Sequence, residues 1–133
     1  MTDTAERAMR EAEEWLVSAK DKRVLADAAN EYSAANVCCA LCVHAIIRAN
    51  DALTLKFMNV KGTRHDDAPA LFSKMLQQGK IARENARFLR LLQKAMMDKS
   101  GADYGKKSFS HEDAKKYVED AEEFVSSVKS LMR

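Results

Sequence analysis

The sequence predicts an all-α fold, an antiparallel bundle of four to five helices that forms a single domain over residues 1–133. One proline and four glycines are too few for the many turns of an all-β fold. Residues 34–47 are uncharged, and apolar residues recur at i, i+3 and i+4 near the end of the chain. With 47% hydrophobic and 32% charged residues, the chain is expected to bury a core without disulfides or metal.

Two long helices are predicted first, over residues 4–29 and 32–58. The inner side of the first is marked by Trp15, Leu16, Ala19, Arg23 and Ala26. The second carries full charge after position 34 only at Arg48, Asp51 and Lys56. Because a helix that is apolar nearly all round is buried on most sides, it is predicted to be the central helix, ending near residues 59–62. Its uncharged run is shorter than the ~20 residues of a membrane span, so no membrane association is expected.

A shorter third helix is predicted to begin at Asp66 or Asp67, with Pro69 in its first turn, and to stop at Gly79. A fourth is predicted over residues 81–99. Its apolar stripe consists of Ile81, Phe88, Leu92, Ala95 and Met96, and its opposite face carries Arg83, Arg87, Arg90 and Lys94. Residues 100–109, rich in Gly, Ser and Lys, are expected to break the helical pattern.

The last helix is predicted to start at Ser110, because Ser110 and Asp113 have the spacing of a capping box. Its apolar positions recur at i, i+3 and i+4 and are Ala114, Tyr117, Val118, Ala121, Phe124, Val125, Val128 and Leu131. This is the clearest amphipathic helix in the chain.

Three ionisable residues of the central helix, His44, Arg48 and Asp51, are spaced i, i+4 and i+7 and therefore share one side of it. An unpaired charge on a buried helix is costly, so each of them needs a partner. Two interpretations stand. The three residues line a ligand cleft, or Arg48 and Asp51 form an internal salt bridge beside a hydrogen-bonded histidine.

Lys99 lies on the apolar side of the fourth helix with Leu92 and Met96, if that helix reaches so far. There it either caps helix carbonyls or lines a cleft. Tyr104 follows in the predicted break, where its side chain is free to face a ligand. The basic stripe of the fourth helix is either a solvated face or a surface for phosphates.

The cysteine positions and the absence of common catalytic motifs argue against several classes of protein function. Adjacent cysteines on a helix point about 100° apart, so Cys38, Cys39 and Cys42 are predicted to be core residues, and no metal site is expected. Three cysteines without an export signal indicate a reducing, cytoplasmic setting. The net charge of +2 does not by itself indicate nucleic-acid binding. A Gly-rich phosphate loop, G-x-S-x-G, H-E-x-x-H and the dinucleotide fingerprint are absent, which argues against conventional kinases, hydrolases and dehydrogenases, and no cofactor is implied.

The layout resembles the HEPN domain. The resemblance rests on the central-helix run from Tyr32-Ser33-Ala34-Ala35 through His44 to Leu53, and on His65-Asp66-Asp67 at the start of the short helix. It continues from Leu91-Leu92 through Ala102-Asp103-Tyr104, then Phe109-Ser110-His111-Glu112-Asp113-Ala114 and Ala121-Glu122-Glu123-Phe124. It covers about residues 12–131.

The resemblance implies a homodimeric bundle with a cleft near the two-fold axis. Active members look like metal-independent ribonucleases with an Arg-x4–6-His motif. Others look like partners of small nucleotidyltransferases, often in toxin–antitoxin pairs, or like nucleotide-binding modules. In this chain the Arg position falls on Lys99 and the His position on Tyr104, with Ser100 after the former. Asp51 or its neighbour Asn50 matches the polar central-helix residue that supports the motif.

The changed motif bears on the chemistry. RNA cleavage through the 2′-hydroxyl needs an acid and a base near neutral pH, which suits histidine, whereas tyrosine's pKa of about 10 makes it a poor base. Lysine holds a phosphate only as a point charge. The sequence therefore favours a non-cleaving module that binds a nucleotide, RNA or a nucleotidyltransferase-type partner through Arg48, Asn50, Asp51, Lys99, Ser100 and Tyr104. The alternatives are a toxin-like ribonuclease using Lys99, Tyr104 and His44, and a structural adaptor.

Overall fold

Five α-helices form the bundle in a computed structural model that describes residues 3–29, 32–62, 67–103 and 108–133, with side chains at 3–25, 34–62, 67–99 and 108–133. They are α1 (Ala5–Ala29), α2 (Tyr32–Met58), α3 (Asp67–Gln77), α4 (Leu89–Asp103) and α5 (His111–Leu131). A 3₁₀ helix, Arg83–Phe88, leads into α4. No strand occurs within the described ranges, and the predicted all-α fold is confirmed.

The central helix is α2, as predicted, since it packs against α1, α4 and α5. Its side chains at Cys39, Ile46 and Leu53 are fully buried. Over Ala34–Met58 it is long and apolar enough to cross a membrane, but 67% of its most apolar 18-residue stretch is buried inside the bundle. Burial among the other helices accounts for its apolar composition.

Pairs of side chains fix the helix directions. Arg48 in the second half of α2 meets Asp3, just before α1, and Cys38 near the start of α2 donates to Ala19 O, so α1 and α2 run in opposite directions. On α5, Lys129 pairs with Glu13 and Glu122 with Lys20, which makes α5 antiparallel to α1. Arg87, in the 3₁₀ helix just before α4, pairs with Glu123, and Asp98 near the end of α4 bonds to Tyr117, so α4 runs against α5. The short α3 packs against α2 and α4, and its Phe72 lies edge-on to Phe124 of α5.

The fourth helix differs from its prediction at both ends. The first six residues of the predicted helix from Arg83 form the 3₁₀ helix instead. There Asn85 donates two hydrogen bonds to Ala82 O, one from its backbone N–H (3.0 Å) and one from its side-chain Nδ2 (2.9 Å). Ala82 offers no side chain as a cap, and the tighter i to i+3 bonds satisfy the first turn instead. The helix continues to Asp103 rather than stopping at Lys99, because one glycine costs only about 1 kcal/mol in a helix. Ser100 is therefore a helical residue.

The predicted helix boundaries elsewhere are confirmed. Asn59, with φ of 55°, and Gly79, with φ of 69°, adopt the left-handed conformation just after α2 and α3. At α5 the Asp113 N–H donates to Ser110 Oγ at 3.0 Å and the Ser110 N–H donates to Asp113 Oδ2 at 2.9 Å, which is a complete capping box. Asp67 is the first residue of α3, while Asp66 lies outside the described residues.

The inner side of α1 holds one exception to its prediction. Leu16 and Ala19 are buried, but Trp15 keeps 38% of its surface exposed. Its ring lies at the edge of the α1–α2 interface, where it stacks on His44. The side chain of Ala26 lies outside the described residues.

Candidate functional site

The Arg48 cluster occupies one end of α2. Arg48 Nε donates to Glu11 Oε2 at 2.7 Å, Nη1 to Asp3 Oδ2 at 2.8 Å and Asp51 Oδ2 at 3.1 Å, and Nη2 to Asp3 Oδ1 at 2.9 Å. Lys61 also approaches Asp3 at 3.3 Å. The predicted Arg48–Asp51 salt bridge is thus present and is enlarged by two carboxylates from the start of the chain. With its donors committed, Arg48 has little capacity left for a ligand phosphate.

Electrostatics in this cluster stabilise the charged forms of the two α1-side carboxylates. Hydrogen bonds from Arg48 lower the pKa of Asp3 and of Glu11 below their ordinary values, and Asp3 in turn raises the pKa of Arg48. Asp51 behaves differently: burial raises its pKa, and this outweighs the opposing effect of Arg48. The cluster therefore centres on one guanidinium shared by three acids of unequal strength, with Lys61 as a second cation at Asp3.

His44 lies one turn before Arg48 and stacks on Trp15, with ring centroids 4.8 Å apart and planes inclined by 27°. This contact holds the imidazole against α1. The sequence singled out His44 for its spacing to Arg48 and Asp51, but Trp15 is the partner that the structure adds.

Asn50, the neighbour of Asp51, is buried with 1% of its surface exposed. Its Nδ2 donates to Ala68 O at 3.2 Å, which joins α2 to the first turn of α3. Its Oδ1 has no hydrogen-bond partner among the described residues. This geometry makes Asn50 a core residue that supports α3.

Lys99 lies at the opposite end of α2. Burial raises the pKa of the Cys39 thiol and the charge of Asp98, the neighbour of Lys99, adds a minor part, which places Asp98 near Cys39. Phe109 beyond α4 donates its N–H to Asn36 Oδ1 at 2.7 Å. Cys39 and Asp51 are twelve positions apart, about 18 Å along an α-helix. Within one chain, the structure therefore does not bring Lys99 and Asp51 into a common cleft. Helical spacing predicts which face of α2 a residue lies on. It does not predict which end of α2 packs against the end of α4.

Lys99 itself is half-buried, and it makes no hydrogen bond or ion pair with another described residue. The side chain of Ser100 and the whole of Tyr104 lie outside the described residues, so their predicted roles are not tested by the geometry. Lys99 is thus the described member of the motif, and it is an uncommitted cation.

A buried polar network next to Lys99 was not predicted. Tyr117 OH donates to Asp98 Oδ2 at 2.6 Å, and Lys94 Nζ donates to the same oxygen at 2.8 Å. Asp98 is 3% exposed and Tyr117 2% exposed. Tyr117 was assigned to the apolar stripe of α5, and the one sequence signal for the network was its hydroxyl, which needs a partner when buried.

The predicted basic stripe becomes one wall of a groove between α4 and α5. The groove has a volume of about 290 Å³ and is lined by Arg87, Phe88, Arg90, Leu91, Lys94, Asp120 and Glu123. Arg87 pairs with Glu123 and Lys94 with Asp98, so two of its three cations are already neutralised. Arg83 lies in the 3₁₀ helix and is not one of the lining residues. The groove is of mixed charge, which does not favour the phosphate interpretation.

The three cysteines are core residues, as predicted, with no exposed surface. Burial raises the pKa of Cys39 to about 12, and a hydrogen bond with Cys38 together with burial raises that of Cys42. No group of three metal-binding side chains occurs in the part of the chain that the structure describes.

The fold and the α4 end together define a class of protein: a small antiparallel helical bundle in which the last turns of the fourth helix, next to Lys99, are tied to the fifth helix by the Asp98–Tyr117 hydrogen bond. A family model described as HEPN domain matches residues 5–131, nearly the whole chain. The chain belongs to the HEPN family, as the sequence resemblance indicated. At family level this makes it a nucleotide- or RNA-related module. No curated protein matches the chain significantly.

Proposed function

We propose that this HEPN chain is a homodimeric module that binds a phosphate-bearing ligand, a nucleotide or RNA, at the end of α4 and does not cleave it. The observation that carries the proposal is Lys99. It occupies the arginine position of the family motif, is half-buried, and has no ion-pair partner among the described side chains. A lysine in such a position offers a point charge to a phosphate.

Arg48, the other candidate cation for binding a phosphate, is less suited to this role than Lys99. Arg48 gives its donors to Asp3, Glu11 and Asp51, and a ligand phosphate would have to displace three carboxylates. The carboxylates would also repel the phosphate. We therefore assign Arg48 to the stability of the fold and Lys99 to ligand binding.

The absence of cleavage follows from the motif. Position 104 holds tyrosine where active members carry histidine, and a phenol with a pKa of about 10 does not accept a proton efficiently at neutral pH. His44 is the alternative base, but its ring is stacked on Trp15. The module is proposed to hold RNA or a nucleotide without activating a 2′-hydroxyl.

A second copy of the chain is the proposed partner. Helical spacing places Val37, Leu41 and Leu55 on the same outer side of α2 as His44, and Val37 is 44% exposed while the other two are only partly buried. On α4, Met97 is 79% exposed. Apolar surface of this kind marks interaction sites. A dimer near α2 would also allow residues of two chains to meet at one cleft.

The test is binding and cleavage of a short fluorescein-labelled RNA, and of labelled ATP, in EDTA. We expect wild type to bind one of these probes, Lys99→Ala to bind at least tenfold more weakly, and no variant to cut. Lys74→Ala is the matched control, since Lys74 is an exposed helical lysine on α3 without an ion-pair partner among the described residues.

Sedimentation equilibrium on the same samples is expected to give twice the monomer mass. Cleavage by wild type that Lys99→Ala abolishes would establish a ribonuclease instead. If neither probe binds, the remaining interpretation is a partner module, and co-purification with a nucleotidyltransferase-type protein would then support it.

A further inference from the structure

Tyr117 on α5 contacts both ends of the connection between α4 and α5. Its hydroxyl donates to Asp98 Oδ2 at 2.6 Å, immediately before Lys99. Its ring meets the ring of Phe109 edge-on, with centroids 6.2 Å apart and planes inclined by 69°. One side chain thus joins the residue that precedes the motif to the residue just before the α5 cap.

Two further contacts fasten the same ends. Lys94 Nζ donates to Asp98 at 2.8 Å and lies 3.9 Å from the centroid of the Tyr117 ring, a cation–π distance. The Phe109 N–H donates to Asn36 Oδ1 at 2.7 Å, which ties the returning chain to α2. Each end of the connection is therefore held by Tyr117 and by at least one further contact.

Burial makes this arrangement specific. Asp98, Phe109 and Tyr117 are each no more than 3% exposed. A buried carboxylate is tolerated only with hydrogen-bond partners, and a hydrogen bond to an ionised group is stronger than a neutral one. The Asp98–Tyr117 hydrogen bond therefore favours one position of Asp98 against α5. This fixes the rotation of the last turns of α4 about the helix axis and their position along the bundle.

We propose that Tyr117 is a positioning residue that holds the two ends of the α4–α5 connection together and thereby sets the place of Lys99. Residue 99 follows Asp98 directly in the same helix, so a shift of Asp98 moves Lys99 by the same amount. The proposal rests on the proposed function, in which Lys99 binds phosphate. It extends that function by assigning a residue of another helix, eighteen positions later, to the same site.

The first readout is amide hydrogen exchange, which needs no ligand. Tyr117→Phe keeps the ring and its contact with Phe109 but removes the bond to Asp98. We expect exchange in a peptide covering residues 95–103, the last turns of α4, to accelerate at least tenfold. Thr54→Val is the matched control, because it also removes a fully buried hydroxyl, bonded to Asp51 O at 3.2 Å, at the other end of α2. We expect it to lower the melting temperature without accelerating exchange in that peptide.

The second readout is the affinity of the labelled RNA and ATP. Tyr117→Phe is expected to bind the active probe about tenfold more weakly, and Thr54→Val as wild type does. Should Tyr117→Phe fail to fold, Asp98→Asn is measured in the same way, because it keeps the shape of the side chain but replaces the charge-assisted bond from the Tyr117 hydroxyl by a weaker neutral one.

The outcomes separate the two proposals. Unchanged exchange in residues 95–103 of Tyr117→Phe would overturn the holding role. Faster exchange with unchanged affinity would overturn the positioning of Lys99. If wild type binds neither probe, the proposed function fails and with it the positioning for a ligand, while the exchange experiment still decides whether Tyr117 holds the connection.

Discussion

Arg48 binds the Asp3 carboxylate through two parallel hydrogen bonds, Nη1 to Oδ2 at 2.8 Å and Nη2 to Oδ1 at 2.9 Å. This bidentate geometry is the strong form of an arginine–carboxylate pair. It ties the residues that precede α1 to the second half of α2, and Glu11 and Asp51 complete the shell of the guanidinium. A residue that sequence spacing made a ligand candidate is, in the folded chain, a connection between two helices.

Replacing Arg48 by methionine tests this structural role. The change keeps the apolar stem but leaves three carboxylates facing one another, so we expect the free energy of unfolding to fall by about 3 kcal/mol. Urea denaturation measures it. Arg90→Met is the control, since Arg90 is exposed and has no ion pair among the described residues, and it should cost less than about 0.5 kcal/mol. Lost RNA affinity at unchanged stability in Arg48→Met would instead make Arg48 a ligand residue.

The pH dependence of stability follows from the same cluster. The pKa of Asp3 is lower in the folded chain than in the unfolded one, chiefly because Arg48 donates hydrogen bonds to it. The unfolded state therefore binds a proton first as the pH falls, and the stabilisation present above about pH 4 is lost as pH drops through the folded pKa. Asp51, whose pKa burial raises, opposes this effect with the reverse sign.

The measurement is the melting temperature of wild type and Asp3→Asn as a function of pH. We expect wild type to be the more stable protein at neutral pH and the difference to shrink at the acid end. A difference that is constant across the whole range would show that the Asp3 charge contributes nothing to folding.

The three thiols provide a test of the core. Cys38, Cys39 and Cys42 have no exposed surface, and burial raises the pKa of Cys39 to about 12. Since the thiolate is the reactive form, we expect none of the three to react with Ellman's reagent in the native protein at pH 8 and all three to react in guanidinium chloride. Rapid reaction of one thiol in the native state would contradict the packing of α2.

The capping box of α5 predicts the cost of losing Ser110. Ser110→Ala removes the acceptor of the Asp113 N–H and should lower the free energy of unfolding by about 1 kcal/mol. Ser126→Ala, at an exposed position inside the same helix, should be neutral or slightly stabilising because alanine is the better helix former. Equal effects of the two substitutions would rule out the cap as the cause.

Local patterns accounted for most of the helices. The bounds of α2 match their prediction at both ends, and the Ser110–Asp113 spacing identified the cap of α5, because these signals depend on residues within one or two turns. The predicted start of α4 was wrong because periodicity alone does not show whether a helix can be capped. Its six leading residues have helical periodicity, but Ala82 cannot cap them, and they form a 3₁₀ helix instead.

The sequence by itself determined the fold class, the central helix and the burial of the cysteines, because each depends on the nature and short-range spacing of side chains. It offered the Arg48–Asp51 salt bridge as one of two interpretations. Only the tertiary structure decided which distant residues meet. It added Asp3 and Glu11 to Arg48, placed Trp15 on His44, separated Lys99 from Asp51 along α2, and joined Asp98 to Tyr117. The physical reason is that helical periodicity fixes which face a residue lies on. Which face and which end of another helix that residue contacts depends on the packing of the whole core, and the short-range sequence pattern does not predict this packing.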